Sequence, residues 1–95
     1  MVIETHPGLT LKDELDARGL SANQLALALR VPSGRITDII NGRRAITVDT
    51  AARLGRYFGN GARFWLASQA AYDLHVFERD NGARVDAEVQ PGKAA

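Results

Sequence analysis

Helix stop signals recur along this chain at intervals of about ten to seventeen residues, and they divide it into short helical segments. Gly19, Pro32, the pair Asn41-Gly42 and Gly59 are those signals. Between them the apolar residues follow a helical period, and no segment sustains the two-residue alternation of a strand. After an extended leader closed by Pro7 and Gly8, Leu11 and Leu15 mark a first helix over about residues 9–18. Ser21 caps a second helix, Gln24 completes a capping box, and Leu25, Ala26 and Leu29 line its inner side as far as about Arg30. Pro32 disfavours helix at Val31, Ser33 caps a third helix, and Ile36, Ile39 and Ile40 form its buried face. Thr47 caps a fourth, with Asp49 in its favourable first turn and Val48, Ala51, Leu54, Tyr57 and Phe58 along one side. Asn60 caps a longer fifth helix, roughly 61–79. The expected fold class is all-α, without a sheet.

With 95 residues there is room for one domain and one core. Residues 1–80 read as the folded unit. From Asp80 the polar, small-residue stretch with Asn-Gly and Pro-Gly reads as a flexible tail, residues 81–95. No apolar run approaches the roughly 18 to 20 residues of a membrane span, and no signal peptide precedes the first helix, which places the chain in the cytoplasm.

The residue inventory argues against chemistry. Cysteine is absent, and His6 and His75 stand far apart without a metal-ligand spacing, so neither a metal nor another cofactor is expected. Asp13, Glu14 and Asp16 cluster on the first helix, but acid–base catalysis needs an apolar cleft that perturbs one carboxyl, and a solvated face is the simpler reading. There is no nucleophile elbow and no phosphate loop, and the chain is read as a non-enzyme.

Charge is where the sequence becomes specific. The formal net charge is only +1, but seven arginines (30, 35, 43, 44, 53, 56 and 63) stand against two acids in residues 30–63, while the flanking segments are each net negative. Such a basic middle is the footprint of a polyanionic partner. The short link between the second and third helices is that of a helix-turn-helix unit, whose second helix enters the major groove of double-stranded DNA. With the isoleucines turned inward, the outer side of the third helix carries Gly34, Arg35, Thr37, Asp38 and Asn41, with Ser33 at its exposed start. Arg35 can read a guanine through two hydrogen bonds, and Thr37 a base edge or a thymine methyl. Asp38 suits the site only if it accepts from a cytosine or pairs with a neighbouring arginine. Arg43 and Arg44, on the following turn, are placed for phosphates.

Residues 9–58 resemble the Cro/C1-type (XRE) helix-turn-helix domains of phage repressors. The succession "NGRRAIT", "TAARLGRYFG" and "FWL..Q..YDL" within residues 41–74 resembles more narrowly the HigA antitoxins of bacterial toxin–antitoxin modules. The resemblance implies a five-helix, lambda repressor-like domain and a homodimer on an inverted repeat in its own promoter. It also implies a partner toxin of the mRNA-cleaving HigB/RelE-like kind. The family's base-reading positions fall on Ser33, Gly34, Arg35 and Thr37. Its phosphate-touching position at the start of the second helix falls on Ala22, which leaves Asn23 or Gln24 to replace that contact. A free-standing XRE-family repressor without a toxin is the alternative reading.

The fifth helix carries two apolar stripes about 140° apart. Leu66, Ala70, Leu74 and Phe77 are expected to pack on the first and fourth helices. Trp65, Tyr72 and Val76 are then left as the dimer contact.

Overall fold

The computed structural model describes residues 5–93, and within them the chain forms five helices and no strand. These are α1 (Pro7–Arg18), α2 (Ala22–Leu29), α3 (Ser33–Ile40), α4 (Val48–Phe58) and α5 (Ala62–Glu88). Part of the leader, residues 1–4, lies outside the described residues.

Local capping chemistry explains most of the boundaries. Ser21 and Gln24 form the expected capping box: the Ser21 hydroxyl accepts from the Gln24 N–H at 3.1 Å, and the Gln24 side chain accepts from the Ser21 N–H at 2.9 Å. Thr47 caps α4 through the Thr50 N–H, and Gly19 ends α1 in the left-handed conformation at φ 65°. At three starts the structure differs from the sequence reading. Pro7 opens α1 instead of closing a leader, because a proline at the first helical position gives up an N–H that had no partner there; His6 caps this helix by accepting from the Gly8 N–H at 2.9 Å. Ser33 is the first residue of α3 and Pro32 its cap, with no side-chain bond. Asn60 does not cap α5, since its side-chain oxygen is taken by the Trp65 indole N–H at 2.9 Å and Gly61 stands at the cap.

The fifth helix does not stop near Asp80 but runs on through Asn81 and Gly82 to Glu88, across the division expected between a folded unit and a tail. A glycine inside a helix costs only about 1 kcal/mol, and the good helix formers around the pair outweigh its turn propensity. Arg84 and Glu88 add a pair one turn apart at 4.0 Å.

The core is built from Leu11 and Leu15 of α1, Leu25, Ala26 and Leu29 of α2, Ile36 and Ile39 of α3, Ile46, Ala51 and Leu54 around α4, and Trp65 of α5. Ile40 is half-buried, whereas Val48 and Tyr57, expected on the inner side of α4, are exposed. Both lie near 90° from the direction of Ala51 and Leu54, at the edges of the stripe. α4 packs along α5, α2 on α3, and α1 on α3 and α5.

Which side of α5 faces this core is the largest correction. Trp65 is fully buried, its ring against Phe58 and Phe64, and is no dimer anchor. Gln69 lies buried one turn on, where its carbonyl oxygen accepts from the Ile46 N–H at 2.8 Å and its amide donates to Asp73 at 2.9 Å. Tyr72, edge-on to His6 with ring centroids 5.0 Å apart, and Val76 continue this inward side and are half-buried. Of the stripe expected inside, only Leu66 packs on the core, while Ala70, Leu74 and Phe77 are exposed. Periodicity defines the two stripes, but the close approach of α4 to the start of α5 at Gly55 decides which one is buried.

Candidate nucleic-acid interface

The helix-turn-helix unit is α2 and α3, joined through Arg30, Val31 and Pro32. Arg30 holds the left-handed conformation at φ 61°, the only residue other than glycine to do so among the described residues. This conformation turns the chain sharply enough to seat α3 against α2 within a few residues.

On α3 the isoleucines anchor the inner face, and the opposite side is open as the spacing predicts. Ser33, Gly34, Thr37 and Asn41 are exposed. A Cβ on Gly34 would meet no atom of the protein within 4 Å, so this backbone is free to approach another molecule closely. Thr37 spends its hydroxyl proton on the Ser33 carbonyl at 3.3 Å and keeps its methyl and oxygen lone pairs outward. Arg43 and Arg44 flank this face on the turn after α3, both exposed. Asn23 and Gln24 are exposed at the start of α2, with the Gln24 carbonyl oxygen committed to the capping box.

The two remaining positions, Arg35 and Asp38, are half-buried because each is in an ion pair. Asp38 lies 3.5 Å from Arg43 and 3.7 Å from Arg44, which is the arrangement that makes a carboxylate tolerable on a basic surface. Arg35 reaches from α3 to the first turn of α4, where one of its terminal nitrogens, Nη1, donates to Asp49 at 2.9 Å. Asp49 also accepts from the Arg53 Nε at 3.1 Å, and Arg53 in turn donates through Nη1 to the Leu29 carbonyl at the end of α2, at 2.9 Å. Hydrogen bonding from Arg53, and then from Arg35, holds the Asp49 carboxyl below its ordinary value despite the opposing cost of desolvation. By local pattern Asp49 is only a favourable acid in the first turn of α4. Its part in this chain of contacts depends on a partner fourteen positions away, which no local pattern reveals.

Adjoining this chain of contacts, between α2 and α4, an open depression of about 480 Å³ is lined by Ala28, Leu29, Ala52 and Tyr57 and rimmed by Asp49, Arg30, Arg53 and Arg56. Among the described residues no helix is long and apolar enough to cross a membrane.

A helix-turn-helix family model matches residues 11–65. Virulence-associated protein I of Dichelobacter nodosus is 53% identical over 76 residues, which span 79% of this chain and 70% of that protein. Among solved structures, an addiction module antidote protein of the HigA family from Coxiella burnetii is 43% identical with a TM-score of 0.91, over 96% of this chain and 100% of that one. The Pseudomonas aeruginosa antitoxin HigA, solved with the higBA promoter, is 39% identical with a TM-score of 0.89, over 94% of this chain and 98% of that one. The matched segment takes in all of α2, α3 and α4, and the likeness to the solved structures extends through α5; the chain belongs to the Cro/C1-type (XRE) helix-turn-helix family and, within it, to the HigA antitoxins.

Proposed function

We propose that this protein is a homodimeric, sequence-specific DNA-binding antitoxin that represses its own operon in the cytoplasm and neutralises a HigB/RelE-like, mRNA-cleaving toxin by direct binding. The observation that carries the DNA half is the outer side of α3, where Ser33, Gly34, Thr37 and Asn41 are exposed beside Arg43 and Arg44. A fold matching that of an antitoxin solved with promoter DNA supports it. In this reading Arg35 and its neighbours on α3 specify, Arg43 and Arg44 hold phosphates, and Asn23 and Gln24 extend the phosphate contacts from α2. Arg35→Ala is expected to weaken binding to the duplex upstream of the chain's own reading frame by about 1 to 3 kcal/mol, with little effect on a shuffled duplex. Arg44→Ala is expected to weaken both. Fluorescence anisotropy on the two duplexes measures the difference, and equal losses for both variants on both duplexes would remove this division of roles.

The dimer contact belongs on the outer side of α5, where Leu74 and Phe77 are exposed and Val85 follows on the same face. Large apolar side chains grouped in this way on a free helix face are the usual makings of a subunit contact. Phe77→Glu is expected to leave the protomer folded and to halve its sedimenting mass. The toxin half is tested by expressing the neighbouring reading frame with and without this chain: growth arrest relieved by co-expression supports it, and a harmless neighbour leaves an autonomous XRE-family repressor.

A further inference from the structure

We infer that Asp49 is a positioning residue for DNA reading: its carboxylate, fastened by Arg53 to the end of α2, holds the Arg35 guanidinium with one edge free to face a guanine. The inference rests on the DNA-reading function proposed above and names the residue that sets its specificity.

A guanidinium has five N–H donors, and paired reading of guanine uses two of them along one edge. In the structure Nη1 is taken by Asp49, while Nε and Nη2 of Arg35 have no protein partner among the described residues. Those two atoms form an edge of the spacing that meets the N7 and O6 of guanine. The carboxylate that leaves this edge free is itself held. Arg53 grips it through Nε at 3.1 Å and is tied back through Nη1 to the Leu29 carbonyl at 2.9 Å, so α2, α3 and α4 are joined in one chain of contacts. An arginine on a long flexible stem would otherwise have to be ordered at the moment of binding.

The acid has a second consequence, of opposite sign. A carboxylate beside the DNA-reading helix repels every duplex alike, whatever its sequence. Asp49 therefore lowers the affinity for all DNA while raising the affinity for the one arrangement of bases that a fixed Arg35 can meet. The uniform repulsion leaves the ratio of specific to non-specific binding unchanged, and the positioning of Arg35 widens it.

The two effects part on mutation. Affinities are measured by fluorescence anisotropy for the duplex upstream of the chain's own reading frame and for a shuffled duplex of the same composition. Wild type, Asp49→Asn, Arg35→Gln and the double variant are compared, each checked for helicity by circular dichroism. Asp49→Asn is expected to weaken binding to the upstream duplex about fivefold to tenfold and to tighten binding to the shuffled duplex about twofold to threefold. In the Arg35→Gln background the same change is expected only to tighten binding, and to do so on both duplexes. Asp49→Glu, which keeps an acid in the first turn of α4 but moves the carboxylate by one methylene, is expected to weaken binding to the upstream duplex without tightening binding to the shuffled one; it carries the test if Asp49→Asn does not fold, and unchanged affinities for both duplexes would overturn the inference. Equal tightening on both duplexes by Asp49→Asn would overturn the inference, since the carboxylate would then be a repelling charge alone. So would an equal weakening with and without Arg35, which would place its role in the stability of α4. A wild-type protein that binds both duplexes equally would overturn the DNA-reading function together with this inference, whereas a discriminating wild type with an equally discriminating Asp49→Asn would overturn the inference alone.

Discussion

Trp65→Ala is expected to leave the protein largely unfolded at 37 °C. The side chain is fully buried, lies against Phe58 and Phe64, and places its only polar group on Asn60 at 2.9 Å. Truncating a buried tryptophan to alanine costs about 3 to 5 kcal/mol, the lost transfer free energy plus the cavity left behind. A small domain has about 5 to 15 kcal/mol in all, and one of this size sits toward the lower end. Urea unfolding followed by circular dichroism should show the midpoint falling toward zero denaturant. The measurement also separates two roles that the sequence alone does not separate. A tryptophan that joined two protomers would change the sedimenting mass and leave the helical signal intact, whereas loss of the helical signal itself marks a core residue. Trp65→Phe should retain most of the packing, and its cost should be smaller because Asn60 is exposed and water can replace the indole N–H.

The second large effect comes from adding a single methyl group. A Cβ on Gly55 would run into the backbone of Gly61 and Ala62, where the chain leaves α4 and enters α5. The Gly55 carbonyl accepts from the Gly59 N–H at 2.9 Å and from the Gly61 N–H at 3.2 Å, so this approach is fastened as well as tight. Helix propensity alone would favour alanine at this position by about 1 kcal/mol. Overpacking against backbone, which cannot rotate away as a side chain can, costs about 1 to 3 kcal/mol or more and decides the sign. Gly55→Ala is therefore expected to be destabilising in thermal melts, with α5 displaced from α4. Gly34→Ala supplies the contrast, because nothing lies within 4 Å of the added methyl on α3 and the same substitution there should raise stability by about 0.4 to 1 kcal/mol. Opposite signs for one substitution in two helices would separate packing from propensity.

These two sites also mark where sequence reading runs out. The starts of α2 and α4 are legible because Ser21, Gln24 and Thr47 act on backbone N–H groups only a few residues away. The outward positions of α3 are legible because three isoleucines fix its inner face. The rotation of α5 is not, because Trp65 and Leu74 are both apolar at helical spacing, and the choice between them is made by Gly55 pressing on Gly61 across the interhelical turn. Asn81 and Gly82 mislead for a related reason: a turn-forming pair acts as a turn only if its neighbours do not prefer helix. At the site, Arg35 is identifiable from residue type and position. Its tie to Asp49 is not, because that contact exists only after α3 and α4 have packed.

The length of α5 has one more consequence. At 1.5 Å per residue its 27 residues form a rod of about 40 Å, rooted in the core at Trp65 and Gln69 and carrying Leu74, Phe77 and Val85 outward. No hinge interrupts it, so the angle between its outer apolar face and the exposed side of α3 is set by residue count. One residue inserted between Gln69 and Leu74 would turn everything beyond it by about 100° and advance it by 1.5 Å. A second subunit docked on that face would then present its own α3 to a different side of the double helix. In the homodimer proposed above, the spacing of two half-sites would thus be written in the phase of a single helix, remote from the side chains of α3.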